Sequence, residues 1–396
     1  MNPIRRLKAY TGHPLLSYGF RPFFLGGAVF AGLGILIWVP LFLGQISIPT
    51  AFSPLDWHIH EMLYGYVPAV FTGFLLTAIP NWTGRLPLHG GALAVLVTAW
   101  IAGRVAVGIS GLIGRPAAGA IDVLFLVLIA AAACREVVAA RNWRNLPPVF
   151  ILVIFIAGDV IFHVEDYWTG SAALGTRLGI AAAVALISLI GGRIIPSFTR
   201  NWLARENPGR LPVPFGSFDI GVLAISLCAL LAWVIAPGWA GTATLMLLTG
   251  LAQTLRLARW AGDRTLRDRL VLILHVAYAF VPLGFVILGG AILAPSTVPL
   301  SAGIHSWTVG AIGTMTLAVM SRTSLGHTGQ RLAAGPLTQV AYGAVVLAAS
   351  LRIAAAFPLT PATALLEAAA AAWIAAFWLF AVGFGPLLSR PRRNAR

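Results

Sequence analysis

Trp57-His58-Ile59-His60-Glu61 opens an apolar run that ends near Ile79. His163, four residues after Asp159, and His305 fall within later apolar runs. An ionisable side chain inside a bilayer is costly unless it is paired, ligated or hydrated, so each of these residues marks a candidate site. Imidazoles near carboxylates can hold a redox metal, supply the axial ligand of a haem, or relay protons.

The spacings narrow those options. Asp159 and His163 share one helix face, so the carboxylate can accept the second imidazole N–H of a ligating His163 or simply neutralise it by a hydrogen bond. His58 and His60 point in different directions on a regular helix, whereas His58 and Glu61 share a face. One reading places His60 on a metal or haem, with His58 and Glu61 forming an outer polar cap or proton inlet; the other makes His58 an interfacial cap. His275, with Tyr278 one turn further, can ligate a second centre, ligate the far face of a haem standing upright in the membrane, or bond a neighbouring helix. Arg104 and Arg352 fall inside spans and need anionic partners, either haem propionates or the carboxylates of Asp122 and Glu367. Glu61, Asp159 and Glu367 are the candidates for a proton path.

The elements that position these residues can be read from hydropathy. The chain has 396 residues, 59% hydrophobic and 10% charged, where a soluble chain carries about a quarter charged. Apolar windows of about 20 residues predict an all-α integral membrane protein, a bundle of about twelve transmembrane helices in one polytopic domain over residues 1–396. The spans run approximately over 23–43, 58–79, 91–111, 117–139, 147–167 and 174–195, then 218–235, 238–259, 269–293, 300–320, 336–356 and 362–388. The segments are too long and too little alternated for barrel strands. No internal repeat is evident, and the two six-helix halves share no motif, which gives little support to the inverted-repeat logic of transporters.

The net charge of +15 lies in short loops beside the spans, where it sets topology and meets anionic lipid rather than nucleic acid. With the N-terminus cytoplasmic, strict alternation puts every basic residue on the inner side except Arg104, Arg115, Arg177 and Arg352. Both termini are therefore expected inside. Under that topology His58, His60, His163 and His305 converge in depth toward the outer side of the membrane, and Glu61, Asp122, Asp159 and Glu367 map to the outer half of their spans. His163, sixteen positions into its helix, sits about 24 Å from the inner end at the rise of an α-helix. His275 lies nearer the cytoplasmic side.

Cys134 and Cys228 are the only cysteines. They provide no disulfide framework and no C-x-x-C-H for covalent haem, so any haem is non-covalent and takes a histidine or other side-chain ligand. Phosphate loops, serine elbows and H-E-x-x-H sites are absent. Residues 1–20 lack the apolar core and cleavage site of a signal peptide, so the first span is expected to act as an uncleaved insertion signal.

Several collinear stretches resemble the NnrS family of membrane proteins. They are Gly19-Phe20-Arg21-Pro22-Phe23-Phe24, Trp57-His58-Ile59-His60-Glu61-Met62, and the run Gly73 to Gly84. Further along come Gly192 to Thr199, His275-Val276-Ala277-Tyr278, His305 with Val309 to Gly313, and Met320 to Gly329. The resemblance implies twelve spans, haem b with copper as a further metal, and a role in nitric oxide metabolism in denitrifying or nitrosatively stressed bacteria. It also implies a bacterial inner membrane location. It carries no settled ligand set, so His58, His60, His163, His275 and His305 remain candidates on the depth argument alone. It gives His327 a structural or proton-path role. The preferred expectation is a haem or haem–copper protein that binds or converts nitric oxide, with an electron donor the sequence does not identify. The competing expectations are a proton-coupled transporter using the same residues as a relay, and a haem sensor without turnover.

Overall fold

The computed structural model describes residues 10–143, 146–358 and 361–391. Arg5, Arg6, Lys8, Arg144, Arg392, Arg393 and Arg396, which enter the topology argument, lie outside the described residues. The described residues form helices and no strands. In chain order the long helices are α1 Phe20–Phe42, α2 Pro54–Thr83, α3 Gly91–Gly108, α4 Arg115–Ala139, α5 Leu146–Thr169 and α6 Ala173–Glu206. The second half continues with α7 Ser217–Ile235, α8 Ala240–Ala258, α9 Arg269–Leu293, α10 over 300–328, α11 Pro336–Ala354 and α12 Ala362–Ser389.

Ten of these are long and apolar enough to cross a membrane. The exceptions are α8 and α10, both expected as spans. Each is a helix at the expected place, but Thr242, Thr249, Gln253 and Arg256 in α8, and Ser301, His305, Ser306 and Thr308 in α10, dilute its hydropathy. These polar residues are tolerable only where protein rather than lipid surrounds them, and Gln253, Arg256 and Ser306 are fully buried.

The chain divides into two compact units. One comprises Met1–Gly179, Thr323–Arg331 and Phe380–Arg396; the other comprises Ile180–Arg322 and Leu332–Leu379.

In the first unit, α1 lies against α2 through glycines, since a Cβ on Gly73 would meet the Phe24 ring at 2.6 Å. The start of α2 is set by Ser53, whose Oγ accepts the Asp56 N–H at 3.1 Å, and by Pro54 in the first turn. Gly84, left-handed at φ 67°, ends it.

In the second unit α8 and α9 approach closely. A Cβ on Gly289 would lie 3.0 Å from the Ala243 carbonyl oxygen, the small-residue contact that lets helices pack without a water-driven force. A buried polar chain also runs through this unit. Arg256 donates to Asp219 at 2.9 Å and to the Tyr278 hydroxyl at 3.0 Å. Tyr278 then donates to Gln253 at 2.8 Å, and Gln253 donates to Ser226 at 2.8 Å.

Three π-helical segments interrupt the helices, and no residue pattern marks them in advance. They occupy Glu61–Tyr66 in α2, Ile187–Gly191 in α6 and Ser306–Gly313 in α10, recurring every fourth helix. α2 and α10 agree most closely. His60 and His305 each stand directly before the π segment, Gly65 and Gly310 come at the same interval after them, and the helices end at Thr83 and Thr328. Each is then succeeded by a left-handed glycine, Gly84 at φ 67° and Gly329 at φ 75°. The next helices begin at Gly91 and Pro336, and the interval from His60 to Asp122 equals that from His305 to Glu367. A repeat is therefore present where none was expected from the sequence. It is carried by backbone geometry and a few positions, because lipid-facing side chains need only stay apolar and so drift apart.

Candidate metal centre

Three helices of the first unit build the site. α2 contributes His60 and Glu61, α4 contributes Asp122, and α5 contributes Asp159 and His163. α3 adds Arg104. The loop before α2 is tied down by Thr50 Oγ1 donating to the Val107 carbonyl at 3.0 Å, by Ser110 Oγ accepting the Ala51 N–H at 2.8 Å, and by Arg115 donating to the Ala51 carbonyl at 2.7 Å. This anchoring fixes Phe52, whose ring stacks on His60 at 5.7 Å. Phe162 meets another edge of the imidazole at 5.1 Å.

The π segment begins immediately after His60. One extra residue in the turn rotates the later part of the helix relative to the earlier part, so Glu61 and Tyr64 reach directions a regular helix would not give them. Trp100 Nε1 donates to the Gly65 carbonyl at 2.9 Å, satisfying a backbone group of the irregular turn. The Tyr64 hydroxyl donates to the Gly175 carbonyl at 2.7 Å.

At the centre, His60 Nε2 lies 3.0 Å from Asp122 Oδ2 and 3.1 Å from Asp159 Oδ1. His163 Nε2 lies 3.2 Å from the same Asp122 oxygen and 3.7 Å from Asp159 Oδ1. His60 Nδ1 is 3.3 Å from Glu61 Oε1. Arg104 joins the outer edge, donating to Glu61 at 2.8 Å and to Asp122 through its other terminal nitrogen. His60, Glu61, Asp122 and Asp159 are all buried, and His163 keeps 10% of its side chain exposed.

Glycines make this convergence possible. A Cβ on Gly103 would lie 2.7 Å from Asp122 Oδ1, and one on Gly119 would lie 3.1 Å from the His163 ring. A Cβ on Gly65 would collide with the Arg104 guanidinium.

Ligand atoms of His60, Asp122, Asp159 and His163 all fall within 4.8 Å of one another, and the group could hold a metal ion. Most of these separations are near the ligand–ligand spacing that a four-coordinate ion with bonds of about 2.1 Å imposes. Two imidazoles and two carboxylates suit iron, copper, zinc or manganese. Glu61 Oε2 and Asp159 Oδ2 are buried without hydrogen-bond partners, a costly state for a carboxylate oxygen that an ion or bound water would relieve. The charges fit as well. Three carboxylates against one guanidinium leave two negative charges, which one divalent cation balances; so would two protons, one on each imidazole.

A porphyrin does not fit between this pair of histidines. Their ring centroids are 4.8 Å apart, and the space between their Nε2 atoms is held by the two aspartates. Arg104 is engaged by Glu61 and Asp122, the carboxylate pairing rather than the propionate pairing of the two weighed from sequence.

The other candidates lie elsewhere. His58 stacks on Trp38 with centroids 4.0 Å apart, away from the cluster. His275, in the second unit, meets Thr199 Oγ1 at 2.8 Å through Nε2, and its Nδ1 faces Gly262. His305 Nδ1 lies 2.6 Å from the Ser301 carbonyl oxygen. Gly303 packs on Leu288, thirteen residues after His275, and His305 lies two residues back along the antiparallel α10, so His275 and His305 differ in depth by about 16 Å of helix rise. Glu367 is exposed, and Arg352 is half-buried. His327 packs against the rings of Tyr18 and Phe20. Sequence reasoning placed Asp122 and Asp159 in the same half of their spans as the histidines but as partners of Arg104 and His163, not as members of a group that could hold a metal. It missed Phe52 and the site-making glycines entirely.

Arg104 offsets one of the three carboxylate charges and bridges two of those groups, so its loss is expected to be severe. Removing one partner of a buried ion pair costs about 3–5 kcal/mol. Arg104→Met should lower the melting temperature sharply in detergent, and Arg104→Lys should restore little, because one ammonium cannot span Glu61 and Asp122 as the guanidinium fork does. Thermal unfolding followed by circular dichroism checks both; a melting temperature unchanged in Arg104→Met would show that the pairing carries no stability.

No curated protein matches this chain. The family described as NnrS protein matches residues 14–392, nearly the whole chain including every member of the cluster, and the chain therefore belongs to the NnrS family.

Proposed function

We propose that this protein holds a redox-active transition metal, iron or copper, between His60, Asp122, Asp159 and His163, and that it binds or converts nitric oxide at that ion. The observation that carries the reading is the convergence of two imidazoles and two carboxylates, buried in the span region, with two further carboxylate oxygens lacking partners. Membership of the NnrS family supplies the nitric oxide context. Haem b, where the chain carries it, takes ligands other than the His60–His163 pair; His275 and His305 remain the candidates. The setting is a bacterial inner membrane, with both termini cytoplasmic and the cluster toward the periplasmic side, as the distribution of basic residues favours.

Within the site, His60 and His163 supply nitrogen donors that discriminate against calcium and magnesium. Asp122 and Asp159 orient the imidazoles and bring charge. Phe52 and Phe162 keep bulk water from His60, and Arg104 holds Glu61 and Asp122 in register. The metal would supply an open position for a diatomic ligand.

The charge balance also favours a second reading, in which two protons replace the ion and the cluster relays protons for a carrier. One experiment separates them. Purified protein loaded with ferrous iron or copper should change its optical and electron paramagnetic resonance spectra on adding nitric oxide, and His163→Ala should lose the change. A chain that takes up no metal, yet moves protons across vesicles in a His60-dependent way, would replace the first reading with the second.

A further inference from the structure

The cluster is buried, yet one of its members touches a cavity. Between α4 and α5 lies an apolar groove of about 490 Å³ whose lining includes Gly119, Val123, Val127, Val160, His163 and Val164. Leu124, Val127, Val160 and Val164 along it are 42–50% exposed on membrane-spanning helices, so the groove opens toward the acyl chains. Among the described residues its lining holds one guanidinium, Arg115, already engaged by Asp166 at 3.2 Å and by the Ala51 carbonyl oxygen. An anion therefore finds no free partner there.

His163 is the only member of the four with more than a trace of exposure, 10% against at most 2% for the side chains of His60, Asp122 and Asp159. Gly119 brings groove and imidazole together: with no Cβ, it leaves open the space 3.1 Å from the His163 ring. Apolar walls, an opening to lipid and one imidazole at the floor select a small uncharged molecule that partitions into hydrocarbon.

We propose that this groove is a lateral portal, through which a small uncharged diatomic ligand passes from the bilayer to His163 and the metal beside it. The inference rests on the metal-centre reading for its purpose, but the groove itself can be probed without metal. The portal admits apolar gases and excludes anions, so it selects by polarity and size before any ligand meets the ion. Val160 and Ala120 line the passage from opposite helices and supply no ligand atom to the cluster, which makes them the positions to block.

The test uses the full chain, wild type, Val160→Trp and Ala120→Phe, with Leu231→Trp as a control on an exposed apolar position of the other unit. In crystals under xenon pressure, the wild type and the control should show xenon beside His163 whether or not metal is bound, and the two blocked variants should not. In stopped-flow mixing of metal-loaded protein with nitric oxide, either block should slow association at least tenfold, with metal content and final occupancy unchanged. A groove that excludes xenon in the wild type, for instance because an acyl chain fills it permanently, overturns the portal. Blocked variants that bind nitric oxide at the wild-type rate also overturn it while leaving the metal reading intact. Xenon in the groove of a protein that binds no nitric oxide supports the portal and removes the proposed function.

Discussion

Asp122→Asn is expected to lower the affinity for a divalent transition metal at least a hundredfold while leaving the chain folded. One oxygen of Asp122 lies 3.0 Å from His60 Nε2 and 3.2 Å from His163 Nε2, and the other accepts from Arg104. Asparagine keeps the shape but removes a ligand charge, so the cluster drops from two uncompensated negative charges to one. Losing an outer-shell partner alone costs about 10–100-fold in metal affinity, and in the proposed site Asp122 would be at once a ligand and the link between both imidazoles. Arg104 keeps Glu61 at 2.8 Å, which is why folding should survive. Metal retained after dialysis against graded chelator measures the effect. Wild-type retention in Asp122→Asn would remove Asp122 from the site.

The second large effect should come from a residue with no side chain. Gly103→Ala places a methyl 2.7 Å from Asp122 Oδ1 and 3.2 Å from Asp122 Cα. The carboxylate could swing away, but the backbone of α4 could not without opening the α3–α4 contact. Overpacking of this kind costs about 1–3 kcal/mol. Here it should also part Arg104 from Asp122, so most of the bound metal is lost together with a lower melting temperature. The repeat offers an internal comparison. The position equivalent to Gly103 is Ala348, and there the acid equivalent to Asp122, Glu367, is exposed rather than tucked against the neighbouring helix. A Gly103→Ala protein with normal metal content would show that α3 and α4 can separate at no cost to the site.

Much of this was legible in the chain. Runs of about 20 apolar residues mark spans because a bilayer leaves no other way to satisfy a backbone, and the helices fall where those runs are. Depth was legible too, since helix rise converts position into height. His60, Asp122, Asp159 and His163 therefore emerge at one level from sequence alone. Lateral position is not encoded in that way. Nothing in the spacing of His305 separates it from His163, yet they belong to different units. Asp122 could be read as a counterion for Arg104, but its second oxygen, shared between two imidazoles, depends on how α4 and α5 pack.

The glycines were the missed signal. Gly65, Gly103 and Gly119 look like ordinary small residues of membrane helices, and only the approach of Arg104, Asp122 and His163 shows what their missing Cβ atoms permit. The π segments were hidden for a related reason. A π turn is a property of hydrogen-bond register, and Glu61–Tyr66 carries no residue that demands it. The shared histidine and glycine, His60 with Gly65 and His305 with Gly310, were visible, but only the matching backbone makes them a repeat.

X-ray absorption at the metal edge, with metal stoichiometry, on the purified full chain tests the central claim most directly. The expected result is one iron or copper per chain in a nitrogen and oxygen shell with imidazole scattering, lost in His60→Ala and retained in His58→Ala. A chain that binds no transition metal, or whose metal sits wholly in a porphyrin and stays there in His60→Ala, would contradict it.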